Sequence, residues 1–124
     1  MTKEQRIELI KWSCENGYAD GFGPIETEPR LMCKVPVSSN HLCSEHIYIE
    51  DCAFWDNIYY PLFLQRTIEG INRIFEEWRI TQTNSLVLAI LKEESGDAFM
   101  LKNYPTIDQA KESALLYIME EMNK

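Results

Sequence analysis

Residues 86–91, Leu-Val-Leu-Ala-Ile-Leu, form an unbroken apolar run, and on both sides of it the apolar residues recur at helical spacing. Periodicity within such a run does not separate strand from helix, but its short length and the Ser95-Gly96-Asp97 turn signal after it favour a strand. Residues 98–101 supply the return strand, joined through the polar, glycine-containing link 92–97. The lack of alternation in the first strand implies burial on both faces, by the chain's own helices or by a second subunit. Residues 59–122 therefore read as helix, strand, turn, strand, helix, and this unit organises the chain.

The helix before the hairpin starts near Tyr59 or Tyr60, with Pro61 in its first turn. Leu64, Ile68, Ile71, Phe75 and Trp78 fall on one stripe, widened by Phe63 and Ile74. Gly70 sits inside this helix, where glycine costs about 1 kcal/mol relative to alanine. It is either a tolerated glycine or a point where another backbone approaches the face shared with Phe63, Thr67 and Ile74. The last helix begins at Thr106, an N-cap with Gln109 three residues on completing a capping box, and Pro105 discourages an earlier start. Ala110, Ala114, Ile118 and Met122 form its stripe, widened by Leu115 and Met119.

The N-terminal half is less regular. Thr2 and Gln5 repeat the capping-box pattern ahead of a helix over 3–15, which Asn16-Gly17 ends. Residues 17–29, with Gly17, Gly21, Gly23, Pro24 and Pro29, read as a loop. A strand follows over 31–37, with Pro36 restricting it to an edge or an end. Residues 38–44 are loop-like, 47–49 make a short strand, and 52–60 are either an irregular lead-in or an early turn of the central helix. The expected fold is α+β: three main helices packed on a small, mainly antiparallel sheet. A single domain spans 1–124, with its regular unit over 59–122 and the less regular half over 1–58.

A chain of 124 residues can bury roughly 65% of its unfolded surface, enough for a core without staples. Its formal charge of −8, from 20 acidic against 12 basic residues, argues against nonspecific binding to nucleic acid or to anionic lipid. The same charge suits a basic protein partner. No run approaches the ~20 apolar residues of a membrane span, and the opening MTKEQRIELIKW lacks the apolar segment of a signal peptide. The expectation is a cytoplasmic protein whose four cysteines are free thiols or ligands rather than disulfides.

Polar chemistry concentrates at Cys33, His41, Cys43, His46 and Cys52. The spacing Cys43-Ser44-Glu45-His46 is compatible with two ligands on one zinc ion, and Cys33 or His41 with Cys52 would complete a tetrahedral set. The competing reading is core cysteines beside surface histidines, since free cysteine is among the most buried residue types. Cys43 or Cys52 with His41 or His46 also supplies the reagent pair of a cysteine nucleophile, but no catalytic residue is assigned. The glycine-rich segment 17–23 is no phosphate loop, because it does not lead from a strand into a helix. Glu45, Glu50, Asp51 and Asp56 are read as solvated surface. The aromatic set Phe54, Trp55, Tyr59, Tyr60 and Phe63 is dense. Trp55, Tyr59 and Tyr60, if left exposed, would mark a protein interface.

From Tyr60-Pro61-Leu62-Phe63-Leu64-Gln65-Arg66, through the hairpin, to Tyr104-Pro105-Thr106 and Gln109-Ala110-Lys111-Glu112-Ser113-Ala114, the chain resembles small phage and prophage proteins of gut Bacteroides-type bacteria. The arrangement is similar to the phage helix–sheet–helix sandwich proteins and covers about half the chain. The resemblance implies no catalytic motif, so no site residue follows from it; separately, no cofactor is expected, with zinc as the alternative. The leading expectation is a non-catalytic accessory or interaction protein of a phage or mobile element, acting on a protein partner or as a homo-oligomer. The alternative is a small zinc-binding domain with Cys33, Cys43, His46 and Cys52 as ligands. A cysteine-dependent enzyme comes third.

Overall fold

The structure is a computed structural model and describes residues 2–27, 30–36, 44–75, 77–84, 87–92, 97–101 and 104–123. Its fold is α+β. Among the described residues, three α-helices, α1 (Lys3–Glu15), α2 (Tyr60–Ile74) and α3 (Ile107–Met122), accompany two antiparallel sheets of three strands each. The first sheet holds β1 (Gly23–Glu26), β2 (Met32–Pro36) and β3 (Ser44–Tyr48), with β2 in the middle. The second holds β4 (Trp78–Asn84), β5 (Val87–Lys92) and β6 (Asp97–Leu101), with β5 in the middle. The strands thus form two sheets instead of the one expected.

The helix boundaries follow local chemistry. Thr2 accepts a hydrogen bond from the Gln5 N–H at 3.1 Å, while the Gln5 side chain accepts from the Thr2 N–H at 2.8 Å. This reciprocal box satisfies two donors at the start of α1. Thr106 accepts from the Gln109 N–H at 3.2 Å and opens α3 in the expected place. Gly17, at φ +71°, follows the end of α1 in the left-handed region that side chains resist.

Two strands were not legible. β1 lies within the stretch read as a loop, where Gly23 and Pro24 masked a short strand. β4 overturns the end of the central helix: α2 stops at Ile74, Phe75 is extended at φ −99° and ψ 127°, and Trp78 opens a strand. Phe75 and Trp78 continue the helical steps by coincidence. Beneath them Trp78 and Ile80 are buried and Thr81 is exposed, the period-two pattern of a strand. The Asn72 side chain pins this switch. It donates to the Ile80 carbonyl and accepts from the Ile80 N–H, both at 2.8 Å, serving as a strand partner from the last turns of α2.

In the second sheet Ile80 stands directly opposite Ile90, and both are buried. Helix α2 packs on β4 and α3 on β5, and Trp78 meets Tyr117 of α3 edge-on at 6.0 Å. The pairing Lys92↔Asp97 closes the expected hairpin. Ser85, Leu86 and the link 93–96 lie outside the described residues, as do the side chains that would test burial on both faces.

Helix α2 is covered along a second side by the N-terminal half. Phe63 packs edge-on against Phe22 at 5.6 Å. Thr67, fully buried, meets Ser13 of α1 oxygen to oxygen at 2.8 Å and donates to the Phe63 carbonyl at 2.8 Å. Because the threonine proton is committed to that carbonyl, Ser13 is the donor between the two hydroxyls. One turn on, a Cβ on Gly70 would collide with the Tyr18 carbonyl oxygen and lie 2.7 Å from its carbon. Of the two readings of Gly70, close backbone approach is the one observed. Replacing an open helical glycine by alanine gains about 1 kcal/mol. Here Gly70→Ala is expected to lose about 3 kcal/mol instead, measured as the shift in urea midpoint against wild type.

Candidate functional site

The chemistry of the described residues gathers where α1 meets residues 49–60. Ile49–Asp51 form a single 3₁₀ turn, and Trp55–Tyr59 form a π-helical turn leading into α2. The Tyr59 N–H bonds to the Phe54 carbonyl at 3.1 Å, and the Tyr60 N–H to that of Trp55, each five residues back. Such turns are rare and recur at functional sites. Five-residue closure brings positions five apart onto one side. Trp55 and Tyr60 accordingly both point inward, with ring centroids 6.1 Å apart. The outward side carries Phe54 and Ile58, 59% and 53% exposed.

Beside this turn lies a cavity of about 280 Å³. Ile7 and Ile10 of α1, Leu31, Ile49, Cys52 and Trp55 supply its apolar wall. Two ion pairs stand at its rim: Lys3 with Glu50 at 3.3 Å and Arg6 with Asp56 at 3.5 Å. Each couples α1 to the 49–56 segment, and each is exposed enough to contribute little, about 0–1 kcal/mol. The Trp55 indole N–H is buried with no hydrogen-bond partner among the described residues.

Behind the rim, Arg6 joins all three helices. Its guanidinium lies 4.4 Å over the Tyr60 ring and 3.7 Å from Glu112 of α3. Tyr60 donates to the same Glu112 oxygen at 2.8 Å. Tyr60 and Glu112 are both buried, so each needs the other's polar group. Burial, then the neighbouring Glu112 charge, raises the Tyr60 phenol well above its ordinary value, and Arg6 opposes this only in part.

The residues proposed for metal do not converge among the described residues. Cys33 is fully buried on β2 and pairs with Ile47. His46, on β3, pairs with Lys34, the next position, and is exposed. Adjacent register pairs point to opposite faces of a sheet, so Cys33 and His46 stand on different sides. Cys52 is half-buried at the cavity. Cys43, like His41, lies outside the described residues. No group of three or more His, Cys, Asp or Glu is placed to hold an ion among the described residues.

The aromatic surface is also corrected. Trp55 and Tyr60 are core residues, 3% and 4% exposed, and Tyr59 is half-buried. Their place on the surface is taken by Phe54 and Ile58, which the sequence offered no period to single out. Among the described residues no helix is long and apolar enough to cross a membrane. Comparison with known proteins finds no matching family model, no matching curated protein and no matching solved structure.

The Tyr60–Glu112 bond makes a pH prediction. The unfolded phenol titrates near 10 and the folded one above that. The contribution is therefore fully present below pH ~10 and is lost as pH rises towards the folded value. Burial shifts Tyr18 in the same direction, so the comparison with Tyr60→Phe isolates Tyr60. Urea unfolding from pH 8 to 11.5 (about this window) should show wild-type stability falling more steeply than that of Tyr60→Phe. At neutral pH the variant should be less stable by about 1–2 kcal/mol.

Proposed function

We propose that the chain is a non-catalytic interaction protein of a phage or mobile element, working in the cytoplasm of a bacterial host. It engages a protein partner through the surface carrying Phe54 and Ile58. The observation that carries this reading is the pair itself: two large apolar side chains, more than half exposed, Phe54 at the N-cap of the π-helical turn and Ile58 within it. Adjacent exposed apolar groups on a folded domain mark contact surfaces, and aromatic residues are enriched at the centres of interfaces. The net charge of −8 favours a partner with a basic surface, because opposite charge speeds encounter and suppresses wrong partners. The phage setting rests on the resemblance of the half from Tyr60 onward.

The double variant Phe54→Ser, Ile58→Ser separates folding from function. Both side chains are exposed, so its stability should stay within about 0.5 kcal/mol of wild type. Sedimentation velocity over a concentration series, together with quantitative capture of a host or phage protein, reads the interaction. Loss of self-association or capture in the folded variant supports the proposal. Unchanged association, or a wild-type chain that neither self-associates nor captures a partner, overturns it.

A further inference from the structure

The cavity between α1 and residues 49–56 is lined by charges of both signs and otherwise by apolar groups. Lys3 and Arg6 come from the opening turn of α1, and Glu50 and Asp56 from the segment opposite. They pair as Lys3 with Glu50 at 3.3 Å and Arg6 with Asp56 at 3.5 Å. Ile7, Ile10, Leu31, Ile49, Cys52 and Trp55 complete the lining. We propose that this cavity binds a free α-amino acid with an apolar side chain.

Charge selects the zwitterion. The two bases and two acids of the lining cancel. A simple carboxylate would draw Lys3 and Arg6 away and leave Glu50 and Asp56 unpaired, and a simple amine would do the reverse. An amino acid exchanges partners without stranding a charge: its carboxylate takes the two bases and its ammonium the two acids. The exchange is cheap, because exposed ion pairs contribute little. The opening turn of α1 also favours an anion through the positive end of the helix dipole. Arg6 is held in place before a ligand arrives, with its guanidinium 4.4 Å over the Tyr60 ring and 3.7 Å from Glu112. The wall carries an unmet donor as well, the Trp55 indole N–H, which is buried without a partner among the described residues. Buried donors are rarely left so, and a carboxylate oxygen is an acceptor of the kind it lacks. Size and lining narrow the class further. A volume of about 280 Å³ lies just below the ~300–1,000 Å³ of pockets for drug-sized ligands, which suits a metabolite the size of one amino acid. The apolar lining rewards a hydrocarbon or aromatic side chain over a polar one. This inference stands apart from the interaction reading, since it uses other side chains and needs no protein partner.

The test is isothermal titration calorimetry of the full chain with L-leucine and with L-phenylalanine, alongside ¹⁵N–¹H spectra. At least one of the two should bind saturably, one per chain. The Trp55 indole resonance, identified by its absence in Trp55→Phe, should shift as the site fills. Isovalerate, which lacks the ammonium, leucinamide, which lacks the carboxylate, and glycine, which lacks the side chain, should each bind about tenfold or more weakly. The double variant Glu50→Gln, Asp56→Asn changes two exposed residues. It should melt as wild type does and bind leucine about tenfold or more weakly, as expected for losing charge-assisted bonds. Lys3→Gln, also exposed, reads the carboxylate side in the same way and serves if the double variant does not fold. Absence of saturable binding by both amino acids overturns the proposal, as does a folded variant that binds like wild type or an indole resonance that does not move on binding. Isovalerate binding as tightly as leucine overturns it too. Leucinamide binding as tightly would overturn it in favour of capture of a peptide's N-terminal residue.

Discussion

The approach of the Tyr18 carbonyl to Gly70 sets the distance between the two halves of the molecule. Only a residue without a Cβ lets a backbone lie against α2 at that point. Once the approach is made, its neighbours follow: Ala19 and Tyr18 are buried, Tyr18 packs edge-on against Trp12 and Phe75, and Ser13 reaches Thr67. Helix α2 therefore has two covered sides, one under the N-terminal half and one under α3 and β4. That geometry explains why a single helix can unite two separate sheets in one core.

Polar groups then fix which side chains meet. Arg6, Tyr60 and Glu112 come from α1, α2 and α3, and none of the three could be buried alone without a large desolvation penalty. Asn72 performs a similar task at the other end of α2, giving Ile80 both partners of a strand ladder. These bonds add modest net stability, about 1 kcal/mol each for neutral pairs. Their larger effect is on register, since slippage would leave buried donors and acceptors unpaired.

The candidate site inherits its shape from an irregularity. An ordinary α-turn over residues 55–59 would not bring Trp55 and Tyr60 to the same side. The wider π turn does, and so turns Phe54 and Ile58 outward. This could not be read from residue types, because an aromatic cluster satisfies several registers equally well. The face separation of Cys33 and His46 was hidden for a related reason. Sequence spacing is silent about which strand face a residue occupies until the partner strand and its register are known.

Local chemistry by itself determined the three helix starts, the end of α1 and the hairpin closing at Lys92 and Asp97. Caps, prolines, glycines and short periodic runs act within a few residues and do not await tertiary contacts. The α+β class followed from the same signals. Only the tertiary structure decided that Trp78 leaves the helix, that Gly23–Glu26 is a strand, that Gly70 is a contact and that Trp55 and Tyr60 are core. Each of those outcomes depends on a partner far away in the chain. Strand pairing, backbone approach and burial release their free energy only when that partner arrives, so no local pattern carries them.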